Sequence, residues 1–326
     1  MTVRLISGDC RDVLATMPDE SVHCVVTSPP YFGLRDYGVA GQIGLEATPN
    51  DYVEQIVDVF SHIRCVLRKD GTVWLNLGDS YAGSWGAQSR PNGSDAKSTL
   101  GGGSLSARQI AAHPKDTLTG SLKNTPGCKP KDLIGIPWRV AFALQADGWY
   151  LRQDIIWSKP NPMPESVTDR CTKAHEYLFL LSKSERYHYD ADAIREPANN
   201  PEGPGNTGAG KYEADNNPQF HRTKNNLSKI GASDTRNKRS VWEVTTGGFQ
   251  EAHFATFPPA LIEPCILAGC PKGGTVLDPF GGAGTTGLVA DRLGRNAILI
   301  ELNPDYAAMA ENRIRRDAGM FAEVTT

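Results

Sequence analysis

The amino-acid sequence predicts an α/β protein whose sheet is mostly parallel. Short apolar runs with strand character alternate with segments of helical periodicity near both ends of the chain, which indicates strands connected by helices. Several of these runs end in Gly-Asp or Asp-Pro, residues typical of the turns that follow strands. The length of 326 residues is sufficient for a large core and, as a soft expectation, for about two domains.

In the first third of the chain, strands and helices are expected to alternate regularly. The segment DYVEQIVDVFSHIRCVL places apolar side chains at helical spacing, and Lys69-Asp70-Gly71 is expected to interrupt the chain before the next strand. The expected elements are strand 3–7, helix 10–17, strand 22–27, helix 51–67 and strand 72–77.

The middle of the chain contains two irregular segments. Residues 84–133 include a stretch rich in glycine, serine and polar residues, and they predict a flexible insertion. The second irregular segment, residues 198–250, is where basic residues concentrate. Between them lie an expected helix (134–146) and two expected antiparallel strands (149–157 and 176–181).

The last third returns to regular alternation. Pro258-Pro259 opens a helix, and a glycine loop separates the next strand from the helix that follows it. The expected elements are helix 258–267, strand 275–277, helix 288–293, strand 297–300 and a helix from Pro304 onward.

Composition excludes several classes of protein. The net charge of -3 argues against a uniformly basic nucleic-acid coat, although it leaves room for a local basic face. Seven dispersed cysteines without a CxxC pair favour reduced thiols and no metal centre. The first residues carry no signal-peptide pattern, and no apolar run reaches the roughly 18 residues of a membrane span. We therefore expect a soluble, cytoplasmic protein.

The segment TSPPY follows directly after the second expected strand. Proline fixes φ and pushes the preceding residue into extended conformations, so Pro29 and Pro30 predict a stiff turn that holds Ser28 and Tyr31 in place. A hydroxyl, a main-chain carbonyl and an aromatic ring are thus presented together at a strand end. An ordinary surface turn would have little use for this combination.

A second motif, GGAGTTG, lies between a strand and a helix. Residues 282–287 match G-x-G-x-x-G, in which small residues let a ligand approach the backbone and the helix N-terminus offers free N–H groups. Glu301, at the end of the following strand, is the acidic residue expected to bind ribose hydroxyls. These features alone would equally suit a dinucleotide-dependent oxidoreductase.

The two motifs together resemble one family. DPFGGAGTTG is similar to the cofactor motif, and TSPPY to the catalytic motif, of S-adenosylmethionine-dependent DNA methyltransferases that modify exocyclic amino groups. Five further segments have family counterparts in family order: LISGDC, DGTVWLNLGD, DIIWSKPNPMPES, AHEYLFLLS and HFATFPPAL. The catalytic motif precedes the cofactor motif, which is the circularly permuted order of the β-class.

The resemblance implies a Rossmann-like methyltransferase fold with irregular target-recognition insertions. Its sheet is expected to be doubly wound, seven-stranded and mostly parallel, with a terminal antiparallel strand pair. The implied division is 1–83 as the catalytic half, 84–133 as a flexible insertion, 134–197 as the continuation of the catalytic sheet, 198–250 as the DNA-contact region, and 251–326 as the cofactor-binding half.

The resemblance also implies the roles of the catalytic turn. The amino nitrogen of a base is a poor nucleophile because its lone pair is delocalised into the ring. Hydrogen bonds accepted by the Ser28 hydroxyl and the Pro29 carbonyl would favour a pyramidal, nucleophilic nitrogen, with Pro30 completing the turn. Tyr31 would stack on a base flipped out of the duplex.

Binding residues follow from the same resemblance. S-adenosylmethionine is the implied cofactor and double-stranded DNA the implied partner; a homodimer and a cognate restriction endonuclease are left open. The expected cofactor residues are Asp9, Cys10, Phe254, Ala255, Thr256, Asp278, Pro279, Phe280, Gly281, Gly282, Gly284, Thr285, Thr286, Glu301 and Asn303. The expected substrate residues are Trp157, which is equally compatible with simple core packing, and Lys159, Arg222, Lys224, Arg236, Lys238 and Arg239.

The target base is left between two alternatives. Serine before Pro-Pro leans toward cytosine N4 in the family, but relatives with TSPPY include adenine enzymes and adenine methylation is commoner, which narrowly favours adenine N6. Two rivals are an RNA or protein-glutamine methyltransferase and a catalytically silent DNA-binding regulator. The motif order and Ser28 argue against the first, and intact Ser28, Tyr31, Asp278 and Glu301 against the second.

Overall fold

A computed structural model describes residues 1–82, 125–198, 234–247, 257–318 and 323–325. Within these ranges the chain forms six α-helices: α1 (Cys10–Thr16), α2 (Pro49–Val66), α3 (Ile136–Ala146), α4 (Pro259–Gly269), α5 (Thr285–Arg292) and α6 (Pro304–Ala318). The strands are β1 (Thr2–Ser7), β2 (Val22–Thr27), β3 (Leu67–Leu77), β4 (Tyr150–Ser158), β5 (His175–Ser182), β6 (Glu196–Pro197), β7 (Thr235–Arg236), β8 (Val241–Glu243), β9 (Thr275–Asp278), β10 (Asn296–Glu301) and β11 (Glu323–Thr325).

One nine-stranded sheet organises the described residues, in the order β11-β1-β10-β9-β2-β3-β5-β4-β8. All neighbours pair in parallel from β11 through β3, whereas β5 is antiparallel to both β3 and β4. The predicted α/β fold with a mostly parallel sheet is confirmed. All seven predicted strands are present, and the two additional strands, β8 and β11, cover the edges.

The antiparallel pair is therefore not terminal, because β8 adds to β4 in parallel. The expected break at residues 69–71 also takes another form. Helix α2 passes directly into β3 at Leu67, and the pairing with β2 shifts register between Val22 and Cys24. A local irregularity within one strand replaces the predicted loop.

Helices cover both faces of the sheet, as the continuous apolar runs of its strands predict for a parallel sheet that is buried on both sides. One core cluster packs α1, α2 and α3 against one face, through residues such as Leu14, Phe60 and Leu144. The other cluster packs α4, α5 and α6 against the opposite face, through residues such as Ile262 and Val289. None of the helices among the described residues is long and apolar enough to cross a membrane.

The topology brings the sequence motifs to one edge. Strands β9 and β2 are direct neighbours although they come from opposite ends of the chain. Since β1, β10, β9, β2 and β3 are parallel, all their carboxyl ends lie at the same edge of the sheet, where ligands bind in open α/β folds. The TSPPY turn and the glycine loop meet there.

Candidate active site

A cleft lies at the carboxyl edge of the sheet. Its walls come from the turns after β1, β2, β9 and β10, from a loop within residues 37–43, and from helix α6. The lining residues are Gly8, Asp9, Cys10, Ser28, Pro30, Tyr37, Val39, Gly41, Gln42, Ile43, Phe257, Asp278, Pro279, Phe280, Gly281, Gly282, Ala283, Thr285, Glu301, Leu302, Asn303, Tyr306 and Met309. The cleft thus joins Ser28 of the catalytic turn to most of the predicted cofactor residues.

Asp278 is the buried anion of this cleft. Its Oδ1 accepts hydrogen bonds from the Thr27 hydroxyl (2.7 Å) and the Phe280 N–H (3.1 Å), and its Oδ2 accepts one from the Thr286 hydroxyl (2.7 Å). Burial raises the pKa of Asp278 to about 6, and the hydrogen bonds from Thr286, Thr27 and Phe280 oppose that rise. The carboxylate therefore binds the glycine loop to the strand that carries the catalytic turn.

Glu301 holds the other side of the glycine loop. Its Oε2 accepts a hydrogen bond from the Gly282 N–H at 2.7 Å, and its Oε1 accepts one from the Asn303 N–H at 2.8 Å. Burial raises the pKa of Glu301, while those two backbone donors lower it. A half-buried carboxylate at this place is suited to accept hydrogen bonds from the hydroxyls of a ribose.

Two predicted cofactor residues of the glycine motif, Gly284 and Thr286, are outside the cleft lining. Gly284 has φ +76, and a Cβ there would lie 2.9 Å from the Ala310 Cβ of α6. Thr286 is fully buried and donates its hydroxyl to Asp278. Gly284 therefore allows α5 and α6 to pack closely, and Thr286 fixes a carboxylate, whereas the sequence assigned both to the cofactor.

Asp9 and Cys10 follow β1 and line the cleft as expected. The Asp9 side chain caps helix α1 by accepting from the Arg11 N–H (2.9 Å), and it also forms a 2.6 Å ion pair with the Arg11 guanidinium. The hydrogen bond with Arg11 lowers the pKa of Asp9. Burial raises the pKa of the Cys10 thiol to about 12, so this cysteine is not a thiolate nucleophile at neutral pH.

The catalytic turn is supported from beneath by helix α2. The Tyr52 hydroxyl donates to the Pro30 carbonyl at 2.9 Å. Tyr31 lies directly on the backbone after β3, since a Cβ at Gly78 would be only 2.5 Å from its ring. Pro29 is buried, and Ser28 and Pro30 face the cleft.

A hydrogen-bond network surrounds Ser28. The Ser28 hydroxyl lies 3.3 Å from Asn76 Oδ1 and 3.4 Å from the Tyr31 hydroxyl. Tyr31 in turn lies 3.0 Å from Asn76 Oδ1 and 2.7 Å from Glu176 Oε2. The Asn76 amide donates to Glu176 Oε2 (3.3 Å) and to the Tyr177 carbonyl (3.1 Å).

Asn76 and Glu176 were missed by sequence reasoning. A signal did exist for Asn76, because an amide within the apolar strand TVWLNL is a polar group that burial obliges to find partners. For Glu176 the signal was weaker, since it stands at the start of the apolar run EYLFLL. The loop residues of the cleft, such as Tyr37 and Gln42, carried no motif at all.

Trp157 and Lys159, two of the expected substrate residues, have different environments. Trp157 is buried and donates its indole N–H to the Val244 carbonyl at 2.8 Å, so it belongs to the core. Lys159 forms an ion pair with Glu176 and lies 4.3 Å above the Trp157 ring. Lys159 is thus part of the network behind Tyr31.

Three of the predicted DNA-binding residues, Arg236, Lys238 and Arg239, do not line the cleft. They precede β8, whose first residue Val241 pairs with Ile156 near the carboxyl end of β4. Arg236 and Arg239 both form ion pairs with Glu196, and Lys238 lies 4.9 Å above the Trp242 ring. The remaining predicted residues Arg222, Lys224, Phe254, Ala255 and Thr256 lie outside the described residues.

Comparison with known proteins identifies the family. A family model described as DNA methylase matches residues 22–312, which is most of the chain. The chain belongs to this family of DNA methylases. Its predicted family membership and its class of enzyme, a DNA methyltransferase, are therefore confirmed.

Individual relatives agree with this assignment. The Type II methyltransferase M.SmaI of Serratia marcescens is 46% identical over 314 residues, covering 96% of this chain and 91% of that protein. The structure of PvuII DNA methyltransferase, described as cytosine-N4-specific, is 20% identical with a TM-score of 0.61 and covers 99% of this chain and 89% of its own. TTHA0409 of Thermus thermophilus, solved with S-adenosyl-L-methionine, is 23% identical with a TM-score of 0.58 over the full length of both chains. The two structures establish the shared fold.

Proposed function

We propose that this DNA methylase transfers a methyl group from S-adenosylmethionine to the exocyclic amino nitrogen of a base flipped out of duplex DNA. The observation that carries the proposal is the meeting of two motifs in one cleft. Ser28 after β2 and the loop after Asp278 line the same cavity, although 250 residues separate them in the chain. A methyl donor and a base amino group can therefore be brought together at that point.

The residues of the cleft fit S-adenosylmethionine chemically. Glu301 offers carboxylate oxygens to ribose hydroxyls. Buried Asp278 places a negative charge near the glycine loop, where the methionine part of the cofactor, with its positively charged ammonium group, would lie. Phe280 and Ile43 give apolar surface, and the turn at Asp9 and Cys10 borders the same cavity. When bound, this cofactor supplies an electrophilic methyl group on a sulfonium.

The chain's own residues would activate the nucleophile. Ser28 Oγ and the Pro29 carbonyl accept hydrogen bonds from the two amino hydrogens, which draws the nitrogen lone pair out of conjugation. The new N–C bond would form as the C–S bond breaks, leaving S-adenosylhomocysteine, and the excess proton of the nitrogen would pass to solvent water. The protein contributes positioning and electrostatic stabilisation, without a covalent enzyme intermediate.

Of the two bases, we propose cytosine, methylated at N4. Ser28 is the site residue on which the two alternatives differ, because the resemblance associates serine before Pro-Pro with cytosine N4 and aspartate with adenine N6. Adenine was narrowly favoured because relatives with TSPPY include adenine enzymes and adenine methylation is commoner, and no residue of the described cleft adds to that preference. The Ser28 hydroxyl is therefore the observation that supports cytosine.

Methylation of plasmid DNA tests this proposal. The protein is incubated with isotope-labelled S-adenosylmethionine and plasmid, and the nucleosides are then separated by mass spectrometry. We expect labelled N4-methylcytosine. Labelled N6-methyladenine would overturn the choice of base, and the absence of label in every DNA nucleoside would overturn DNA methylation itself.

A matched pair of variants ties the activity to the site. Ser28→Ala removes one acceptor and should lower turnover about 100-fold while the cofactor affinity stays within about twofold. Ser61→Ala, which removes an exposed hydroxyl on α2, should retain full turnover. Equal turnover in the two variants would contradict the role of Ser28.

A further inference from the structure

Glu176 lies where three elements meet behind the catalytic turn. Its side chain is only 16% exposed, and it receives hydrogen bonds from Tyr31 and Asn76 and an ion pair from Lys159. It stands at the start of β5, opposite the ends of β3 and β4. A carboxylate in this position is the strongest acceptor of the network.

The orientation of Asn76 follows from its neighbours. An amide has two N–H donors and one oxygen acceptor, and both groups that its nitrogen faces, Glu176 Oε2 and the Tyr177 carbonyl, can only accept. The nitrogen must therefore lie on that side. The oxygen consequently faces Ser28 and Tyr31, at 3.3 and 3.0 Å.

Tyr31 has one proton to donate and two acceptors within reach. Glu176 Oε2 is both nearer, at 2.7 Å, and charged, whereas Asn76 Oδ1 is neutral and lies at 3.0 Å. The proton of Tyr31 therefore goes to Glu176. Burial, followed by the charge of Glu176, raises the pKa of Tyr31 well above its usual range, so the phenol keeps that proton.

The hydroxyl proton of Ser28 is the last one to be placed in this hydrogen-bond network. Its two network neighbours, Asn76 Oδ1 and the oxygen of Tyr31, both present lone pairs once their own donors are committed to Glu176. We propose that Glu176 is a positioning residue that sets the direction of this network, so that Ser28 turns its proton inward and its lone pairs toward the amino group of the base. The inference rests on the proposed methylation of a base amino group.

The direction matters for the reaction. An amino group has hydrogens to donate, and a Ser28 hydroxyl pointing its own proton at them would oppose both binding and activation. Lys159 and Lys173 are the cationic groups that face Glu176, the first through the ion pair and the second through its charge.

Two substitutions of Glu176 distinguish an effect of hydrogen-bond direction from an effect of side-chain shape. Glu176→Gln keeps the shape but introduces an N–H donor that can reverse the network, whereas Glu176→Asp shortens the side chain but keeps an acceptor-only group. We expect kcat to fall about 100-fold in Glu176→Gln and about tenfold or less in Glu176→Asp, with KM for DNA and the affinity for S-adenosylmethionine within about twofold in both. Glu165→Gln, a nearby glutamate paired with Arg170, should retain the wild-type kcat.

The order of the two variants decides the outcome. A merely structural role predicts that glutamine, the better fit, is the more active; that order, or wild-type kcat in Glu176→Gln, would overturn the inference. Should Glu176→Gln fail to fold, Asn76→Ala replaces it, because loss of the amide oxygen removes the acceptor at 3.3 Å that holds the Ser28 proton inward and should also lower kcat about 100-fold. Unchanged kcat in Asn76→Ala would likewise overturn it. Failure of the wild-type protein to methylate DNA would instead overturn the proposed function.

Discussion

The Thr27 hydroxyl donates a 2.7 Å hydrogen bond to the Asp278 carboxylate, and the two residues are 251 positions apart in the chain. Thr27 is the last residue of β2, directly before the catalytic turn, and Asp278 is the last residue of β9, directly before the glycine loop. One buried contact thus joins the ends of the two neighbouring strands that carry the two motifs. The order of the motifs along the chain has no bearing on this geometry.

Substitution of Thr27 by valine should therefore affect both motifs. Thr27→Val keeps the shape but leaves the buried Asp278 carboxylate without one donor, and we expect a loss of about 2 kcal/mol in the free energy of unfolding. Turnover and cofactor affinity should fall together, because both loops shift. Urea unfolding and calorimetry measure the two effects. Thr16→Val, at an exposed threonine of α1, is the control, and equal stabilities of the two variants would contradict the prediction.

Asp278 should also give stability a characteristic pH dependence. The pKa is raised from an ordinary 3.8 to about 6, so the folded state binds the proton more tightly than the unfolded state. The free energy of unfolding should consequently decrease as the pH rises from about 4 to about 6, by up to about 3 kcal/mol, and stay lower above that window. Above about pH 6, Asp278 is ionised in both the folded and the unfolded state, and the burial of its charge keeps the free energy of unfolding at the lower value.

Asp278→Asn removes that titration. Urea unfolding at about pH 4.5 and about pH 7 should show a smaller difference in the variant than in the wild-type protein. Asp147→Asn, at an exposed aspartate after α3, should leave the difference unchanged. The assignment to Asp278 is contradicted by an Asn variant that keeps the full wild-type pH dependence.

The motifs of the site could be predicted from the sequence because they are local. Proline stiffness at residues 29–30 and the glycine spacing at 282–287 depend on neighbours within a few positions, and both turns lie where expected. The network at Ser28 could not be predicted, since Asn76 and Glu176 meet only through the register in which Leu77 pairs with Tyr177.

The two edge strands could not be predicted from the sequence either. Strands β8 and β11 have only three residues each, too few for an alternating pattern to be recognised. Residues 69–71 have the composition of a turn, yet the chain continues as a strand with a shift in register. In each instance the partner strand, which is distant in the sequence, decides the local structure.

Gly284 and Gly282 of the glycine loop allow a direct comparison of packing with binding. Gly284→Ala would place a methyl group 2.9 Å from Ala310, at a φ of +76, and should lower the free energy of unfolding by on the order of 2 kcal/mol or more. Gly282 has φ +49, but its nearest neighbour would be the Phe280 carbonyl at 3.9 Å. Gly282→Ala should cost only about 1 kcal/mol of stability.

The loss of cofactor affinity should follow the opposite order: it should be larger in Gly282→Ala than in Gly284→Ala. Gly282 lines the cleft, so a methyl group there enters space that the cofactor needs, and the affinity should fall about tenfold. Calorimetry on both folded variants makes the comparison. A stable Gly282→Ala protein with wild-type affinity would mean that the cofactor does not pass this glycine.

The basic residues that precede β8 give the last prediction, which concerns DNA. Arg236 and Arg239 share the single carboxylate of Glu196, and neither side chain lines the cleft. We expect their replacement by alanine to leave DNA affinity and its salt dependence unchanged and to alter stability by about 1 kcal/mol or less.

The matching comparison uses Arg222 and Lys224. The sequence assigns both residues to DNA binding, and both lie outside the described residues. Removal of a side chain that binds a phosphate should reduce the slope of log affinity against log salt by about one. DNA affinity measured across a salt series for the double variants Arg222→Ala/Lys224→Ala and Arg236→Ala/Arg239→Ala separates the two pairs. A reduced slope in the second pair would show that Arg236 or Arg239 contacts phosphate and would contradict the prediction.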